Sequence, residues 1–345
     1  VNLPPPPDNW NIDRLTEERT EAVSAFGFTQ RQARFLVDVL IHSGVFVERQ
    51  YCAFAGITHG QKTHDFLRRH VEHGYARPIR TGALHRGRLF HVHHKPLYAA
   101  IGQADNRHRK PMALGRMVER LMVLDAVLAD RTFTWLGTEF DKRCYFVRHL
   151  QGRVELREFP RLRFGQGAEA THRYFPDKLP IGVQRDRTHH VLLYLVTSSV
   201  PMDFRLFLLR HSELLRPLCG WTIRVLTPAP LAQAIRVFGH AARETLAMPL
   251  EPATAEGLQW FFRERQCRQE SPLLPPDDRF RSAAVVYRAP RFRALFRMWQ
   301  QDGDAAIWAA QSFALRDALQ RGEGRVEFIK LTHQYFHLSS LVGVA

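Results

Sequence analysis

A mixed α+β fold in several parts is what the residue pattern predicts, and three observations carry it. Ala33, Leu36, Val37, Leu40 and Ile41 recur at helical spacing, marking one buried face of a helix. Residues 190–197 form an almost continuous apolar run, as in a strand buried on both faces. After Pro249 the pattern becomes mainly helical, with a Pro-rich break at residues 271–276.

Residues 1–8 contain four consecutive prolines, Pro4 to Pro7, a stiff lead expected to be a disordered terminus. A charged helix is predicted over 12–25, with Leu15, Ala22 and Val23 inward. Thr29 and Gln32 then have capping-box spacing, so each side chain can satisfy a backbone amide at a helix start. Phe35 and Val39 give that helix a second apolar ridge, and Gly44 ends it. Residues 48–55 suit a two-turn helix with Tyr51, Cys52 and Phe54 as apolar contacts. Gly56 permits a tight turn. Thr58 and Gln61 repeat the capping spacing and open a helix over 59–73.

That third helix keeps Phe66, Leu67, His70 and Val71 on one side and Gln61, Lys62, His64, Asp65, Arg68 and Arg69 elsewhere. Two strands, 75–80 and 88–93, flank a basic tip at 81–87. Together these read as a winged helix-turn-helix, in which the later helix lies in the major groove and flanking cations hold phosphates. Gln61, Lys62, His64, Asp65, Arg68 and Arg69 are the expected DNA contacts from the helix, and Arg86 and Arg88 those from the wing. The basic connector 106–111 adds Arg107, Arg109 and Lys110. The bland alternative is a small helical unit with a solvated basic face.

Histidines crowd the wing at His85, His91, His93 and His94. On a strand His91 and His93 share a face and His94 points away, with no cysteine or carboxylate nearby. Phosphate or base contacts are therefore expected before a metal site.

Leu114, Met117, Leu121, Leu124 and Leu128 follow with 3-4-3-4 spacing. This is a short heptad seam, serving either core packing or a homodimer contact. Thr138 and Asp141 suggest a cap opening a helix to about Leu150. From 151 strands are expected: an alternating segment at 154–159, then 174–183 and 190–197, with a loop at Gly165 to Gly167. A helix at 203–216, a strand at 221–227 and a helix at 228–247 complete an α/β order. Arginine and aromatic residues interleave from Arg279 to Arg297, as an amphipathic helix with a solvated face or as a second nucleic-acid surface. Residues 325–331 read as a strand. The expected parts are an arm and bracing helix at 1–28, the winged helix at 29–105, linker helices at 106–150, the α/β part at 151–270 and the helical part at 271–345.

The chain has 345 residues, 45% of them hydrophobic, and a formal net charge of +15. Such a charge favours a polyanionic partner, nucleic acid before anionic membrane. Its four cysteines show no C-x-x-C spacing, so reduced thiols in a cytoplasmic protein are expected. No secretory segment or bilayer-length apolar run is evident. Walker, G-x-S-x-G and H-E-x-x-H motifs are absent. No cofactor or metal is expected, and a binding protein is expected before an enzyme.

Phe28-Thr29-Gln30-Arg31-Gln32, Leu67-Arg68-Arg69-His70 with Gly74-Tyr75, and Pro176-Asp177 ahead of an apolar strand and the Trp221 strand together resemble the replication-relaxation family of mobile genetic elements. The resemblance covers about residues 26–247. It implies double-stranded DNA binding in plasmid or integrative-element maintenance, as a regulator or replication accessory factor. It also implies a core like that of the PD-(D/E)xK restriction nucleases, with Asp177 as first acid. Such a core needs further carboxylates and a lysine around a divalent metal. Leu195, Val196 and Thr197 stand where the next acid belongs, so a degenerate core is expected. A metal-dependent endonuclease using Asp177 and a protein-interaction module are the alternatives.

Overall fold

The structure, a computed structural model, describes residues 10–79, 88–165, 170–270, 277–333 and 335. The polyproline lead, the wing tip with Arg86, most of the Gly165–Gly167 loop and the Pro-rich break lie outside the described residues.

Helix α1 (Ile12–Ser24) starts at Asn11, whose Oδ1 accepts from the Asp13 and Arg14 amides. α2 (Gln30–His42) starts at Thr29, where both bonds of the capping box with Gln32 form. β1 (Val45–Val47), α3 (Glu48–Ala55), α4 (Gln61–Glu72), β2 (Ala76–Ile79) and β3 (Leu89–Val92) follow, and the strands make an antiparallel sheet in the order β1-β3-β2. Gly56, at φ +64, ends α3 in the left-handed region and lets the chain turn into α4. The expected start of that helix is corrected: it begins at Gln61 behind Gly60, and no side chain caps it. His59 instead turns to Glu48, with Nδ1 2.6 Å from its carboxylate.

α4 buries Thr63, Phe66, Leu67 and His70. Phe66 stacks on Tyr51 of α3 with ring centroids 3.9 Å apart, and Phe35, Phe46 and Phe28 close around it. Truncating such a ring costs about 3–5 kcal/mol, so this aromatic cluster fixes α4 against the rest of the unit.

α5 (Lys95–Ala100) and a 3-10 turn (Arg107–Arg109) lead to α6 (Leu114–Ala129). Gln50 of α3 is buried and donates to the Leu121 carbonyl at 3.0 Å and to Asp125 at 2.9 Å, tying α3 to α6. Met117, Leu121 and Leu124 are buried within the chain, and Leu114 and Leu128 pack beside the same clusters. Met117, Leu121 and Leu124 of the seam are thus core residues of this chain, while Leu114 and Leu128 are half-buried beside them.

β4 (Phe133–Leu136) and α7 (Glu139–Leu150) precede a hairpin of β5 (Arg161–Phe164) and β6 (Thr171–Tyr174). Residues 154–159, expected as a strand, form a 3-10 turn at Leu156–Glu158. Local bonding wins over alternation there: the Glu158 carboxylate takes the Glu155 amide at 2.7 Å, and Arg157 pairs with Glu155.

β7 (Ile181–Gln184), β8 (His190–Leu195) and β9 (Trp221–Thr227), with α8 (Met202–Leu215) between the last two, form the centre of a five-stranded sheet, in which β10 (Gly324–Lys330) is the far edge and the order is β10-β9-β8-β7-β4. β7 is antiparallel to β8 and β4, whereas β8 and β9 are parallel. The expected helix at 228–247 is three pieces: a 3-10 stretch at Ala229–Ala234, α9 (Ile235–Ala242) and a π turn at Arg243–Ala247. α10 (Pro252–Glu270), α11 (Asp278–Val286), α12 (Pro290–Asp302), α13 (Ala305–Gln311) and α14 (Ala314–Arg321) pack around a separate apolar cluster or close the first. β10 (Gly324–Lys330) then returns to pair with β9 in parallel over seven residues, so the C-terminal segment completes the central sheet.

β8 explains the apolar run. Leu192 and Tyr194 face the cluster under α8 and α9, while Val191, Leu193 and Leu195 face α6 and β1. Both faces are covered, so neither needs polar residues. The chain is a mixed α+β protein, and among the described residues no helix is long and apolar enough to cross a membrane.

Candidate nucleic-acid interface

α4 presents its outer side to solvent because the aromatic cluster claims the other. Gln61, Lys62, His64, Arg68, Arg69 and Glu72 are exposed and Asp65 is half-exposed. At ~100° per residue, Gln61, Asp65, Arg68 and Glu72 make one stripe at the centre of that face. Asp65 Oδ1 accepts from Gln61 Nε2 and from Arg68 Nη2, each at 2.9 Å. Arg68 Nε also lies 3.8 Å from Glu72. Lys62 stands beside this stripe, and the His64 ring lies 5.0 Å from that of His59. Arg69 is tied elsewhere: its Nη1 donates to the Gly27 carbonyl. The face therefore offers a network of planar, polar groups rather than a row of bare cations, and Val71, expected on the apolar side, is 42% exposed on it.

Of the wing, Arg88 is exposed at the foot of β3. The histidines divide by strand geometry. His91 is fully buried and its Nε2 donates to the His108 carbonyl at 2.9 Å, so it is a packing residue and not a phosphate contact. His70 is likewise buried, bonded through Nδ1 to the Phe66 carbonyl, and burial pushes its imidazole down to about 4.

The connector is held against the first unit. Gly44, at φ +74, lies so close to it that a Cβ would come within 2.6 Å of the His108 carbonyl oxygen. His108 Nδ1 accepts from Arg120 at 2.6 Å, and Arg120 also donates to the Ser43 carbonyl at 3.1 Å. Burial and the adjacent Arg120 charge keep the His108 imidazole well below its ordinary range. As a result Arg107 and Lys110 point outward, while Arg109 is half-buried with its Nε enclosed.

The pattern reading missed the cations that the fold brings to Arg107: Arg116 and Arg120 of α6, Arg173 of β6, and Lys178. No local spacing signals them, because they come from three separated stretches. Among the arginines of the C-terminal helices, Arg265 and Arg268 lie over Phe296 and Phe280, Arg279 over Trp260, and Arg291 donates to the Met248 carbonyl. Those four are spent on internal contacts, while Arg288, Arg293 and Arg297 stay exposed.

Asp177 sits just before β7. Its Oδ1 accepts from Arg210 at 2.7 Å, and its Oδ2 is buried without a protein partner. It lines a cavity of about 10 Å³ with Lys142 and His211, room for a single water. Burial pushes the Lys142 ammonium down to about 8 and the His211 imidazole down to about 4. The groups around Asp177 are thus nitrogen bases and an arginine. Among the described residues no three His, Cys, Asp or Glu side chains gather as metal ligands. No protein-family model, curated protein or solved structure matches this chain.

Proposed function

We propose that the chain is a double-stranded DNA-binding protein, a regulator or replication accessory factor of a plasmid or mobile element, in which residues 29–105 are a winged helix-turn-helix. The observation that carries this reading is α4: a helix pinned on one side by Phe66 and His70, with an outer side made of Gln61, Lys62, His64, Asp65 and Arg68. The order helix, strand, helix, helix, hairpin and the strand order β1-β3-β2 support it. The later helix of such a unit enters the major groove, where arginine and glutamine side chains match the edges of guanine and adenine. The net charge of +15 supplies the attraction to phosphate. Arg68, rather than Arg69, is the arginine with a guanidinium on the outer stripe.

The same reading takes the central sheet as a degenerate nuclease-like core and keeps the tie to the replication-relaxation family. The antiparallel pair β7–β8, the helix α8 and the parallel strand β9 follow Asp177 in the order such a core requires. Leu195, Val196 and Thr197 supply no second acid, and Arg210 occupies the Asp177 carboxylate. A structural role for this core follows.

Selection from a random-sequence duplex library tests the reading. The wild-type chain should enrich one motif, and Gln61→Ala/Arg68→Ala should enrich none. Enrichment of the same motif by both proteins would refute the role of α4. Incubation with supercoiled plasmid and Mg²⁺ or Mn²⁺ should leave the plasmid intact; nicking that disappears in Asp177→Ala would instead establish an endonuclease.

A further inference from the structure

Between the first unit and the central sheet lies a groove of about 1140 Å³. α2 and α3 line one side of it, and the C-terminal end of α6 with β9 and β10 lines the other. Its three carboxylates are all taken from within. Asp125 holds Arg49 at 2.7 Å and also accepts from Gln50 at 2.9 Å and from Tyr335 at 2.6 Å. Asp130 accepts from Arg224 at 3.0 Å, and Glu327 pairs with the same guanidinium. The remaining cations are not balanced in this way. Arg31 donates to the Ala55 carbonyl at 3.0 Å. Arg131 donates to the Phe54 carbonyl, with its guanidinium 4.3 Å from the centre of the Phe54 ring. One carbonyl engages part of a guanidinium and leaves further N–H donors. Among the described residues, Arg31 and Arg131 have no carboxylate at ion-pair distance, and the Lys330 ammonium has no hydrogen-bonding or ion-pair partner. The same groove is lined by apolar surface from Phe54, Leu128, Leu226 and Ile329, and Ile329 is 41% exposed.

We propose that this groove binds a small organic anion, an apolar body lying on Phe54, Leu128 and Ile329 with an acidic group held by Arg31, Arg131 and Lys330. Pockets of this scale take one small molecule on largely apolar walls, with a few polar groups fixing its orientation. Charge decides the sign of the ligand. Arg49 and Arg224 already neutralise the acids of the groove, so a cation would have to displace an ion pair, whereas an anion meets unpaired positive charge. Arginine suits a carboxylate or sulfonate, since its planar donors can bond two oxygens at once. A bare inorganic anion would leave the apolar wall in water and gain nothing from it. No residue of the outer face of α4 lines the groove. The site therefore goes beyond the DNA-binding reading and does not depend on it.

The test is a fluorescence titration of the full chain with 8-anilinonaphthalene-1-sulfonate, an aromatic sulfonate that brightens in apolar surroundings. The wild-type chain should bind it saturably. Arg31→Gln/Arg131→Gln/Lys330→Gln should raise the Kd at least about tenfold, as expected for lost hydrogen bonds to a charged group. Ala53→Trp, which fills the groove and keeps every charge, should do the same, and Arg31→Lys/Arg131→Lys should recover most of the affinity. Hexanoate should displace the dye, whereas 1-hexanol and inorganic phosphate, each lacking one half of the ligand, should not. Wild-type affinity in both the glutamine and the tryptophan variants, with circular dichroism unchanged, would overturn the site, and so would the absence of saturable binding by the wild-type chain. Displacement by 1-hexanol as good as that by hexanoate would overturn the anionic ligand, and displacement by phosphate would overturn the apolar body. A duplex that displaces the dye would assign these cations to DNA and overturn the small-molecule site. A chain that binds the dye but no duplex would sink the DNA-binding reading and leave this site standing.

Discussion

Arg68 and Gln61 both donate to one oxygen of Asp65, Oδ1, each at 2.9 Å. On the proposed DNA-reading face an acid would repel phosphate, yet here it holds the Gln61 and Arg68 side chains in place. Asp65→Ala should therefore separate affinity from specificity. An exposed ion pair is worth about 0.2–1 kcal/mol, so the fold should hardly change. Affinity for random duplex should rise about fivefold, from about 1 kcal/mol less repulsion at contact distance in water. Discrimination for the preferred site should fall. Anisotropy on both duplexes checks this, and unchanged binding to each would show that the outer face of α4 stays away from DNA.

Arg69 should behave differently from its neighbour. Its guanidinium bonds to the Gly27 carbonyl, so Arg69→Ala removes a link between α4 and the turn after α1. The expected cost is about 0.5–1.5 kcal/mol of stability, read as a lower urea midpoint, with sequence preference intact. A loss of preference without a loss of stability would return Arg69 to the reading face.

Leu121 is fully buried in the cluster between the first unit and the central sheet. Leu121→Glu places a carboxylate in that cluster, with a cost of several kcal/mol for an unpaired charge. The expected result is loss of the cooperative unfolding transition by circular dichroism. A folded monomeric variant from a dimeric parent, seen by sedimentation, would show that the seam serves an interface.

Buried imidazoles, His108 and four others, set the acid limb of stability. Burial is the first cause in each: it holds His42 and His190 at about 3 and His70 and His211 at about 4. An unfolded histidine titrates near about 6.5. Between these values the unfolded chain binds more protons than the folded one. Stability is therefore complete above about pH 6.5 and is lost as pH falls toward 4, at about 1.4 kcal/mol per pH unit for each histidine. Urea midpoints at about pH 7.5 and about pH 5 should differ strongly; equal midpoints would mean that these rings are hydrated in the folded chain.

What was legible in the sequence was local. The Thr29–Gln32 cap forms as its spacing predicts, and the apolar run of β8 is buried on both faces because helices cover one side and α6 the other. The heptad of α6 was legible as an apolar stripe, but its partner was not. A stripe packed on the same chain and one packed on a copy have the same period. β4 escaped notice because only Leu136 of its four residues is buried, leaving too weak an alternation. The Thr58–Gln61 spacing misled, since Gly60 takes the cap position and starts the helix later. The cations whose charges act on Arg107 were legible one by one, yet they lie far apart in sequence, which leaves no periodic trace. Arg69 was indistinguishable from Arg68 until the Gly27 carbonyl took it out of the outer stripe.

The most direct test of the DNA-binding account is a hydroxyl-radical footprint on a duplex enriched by the wild-type chain. The wild-type protein should protect one stretch of about one helical turn, roughly ten base pairs, with the major groove at its centre. Gln61→Ala/Lys62→Ala/Arg68→Ala should lose that protection while its circular dichroism and urea midpoint stay at wild-type values. No protection by the wild-type chain, or the same footprint from the triple variant, would contradict the placement of α4 in the groove.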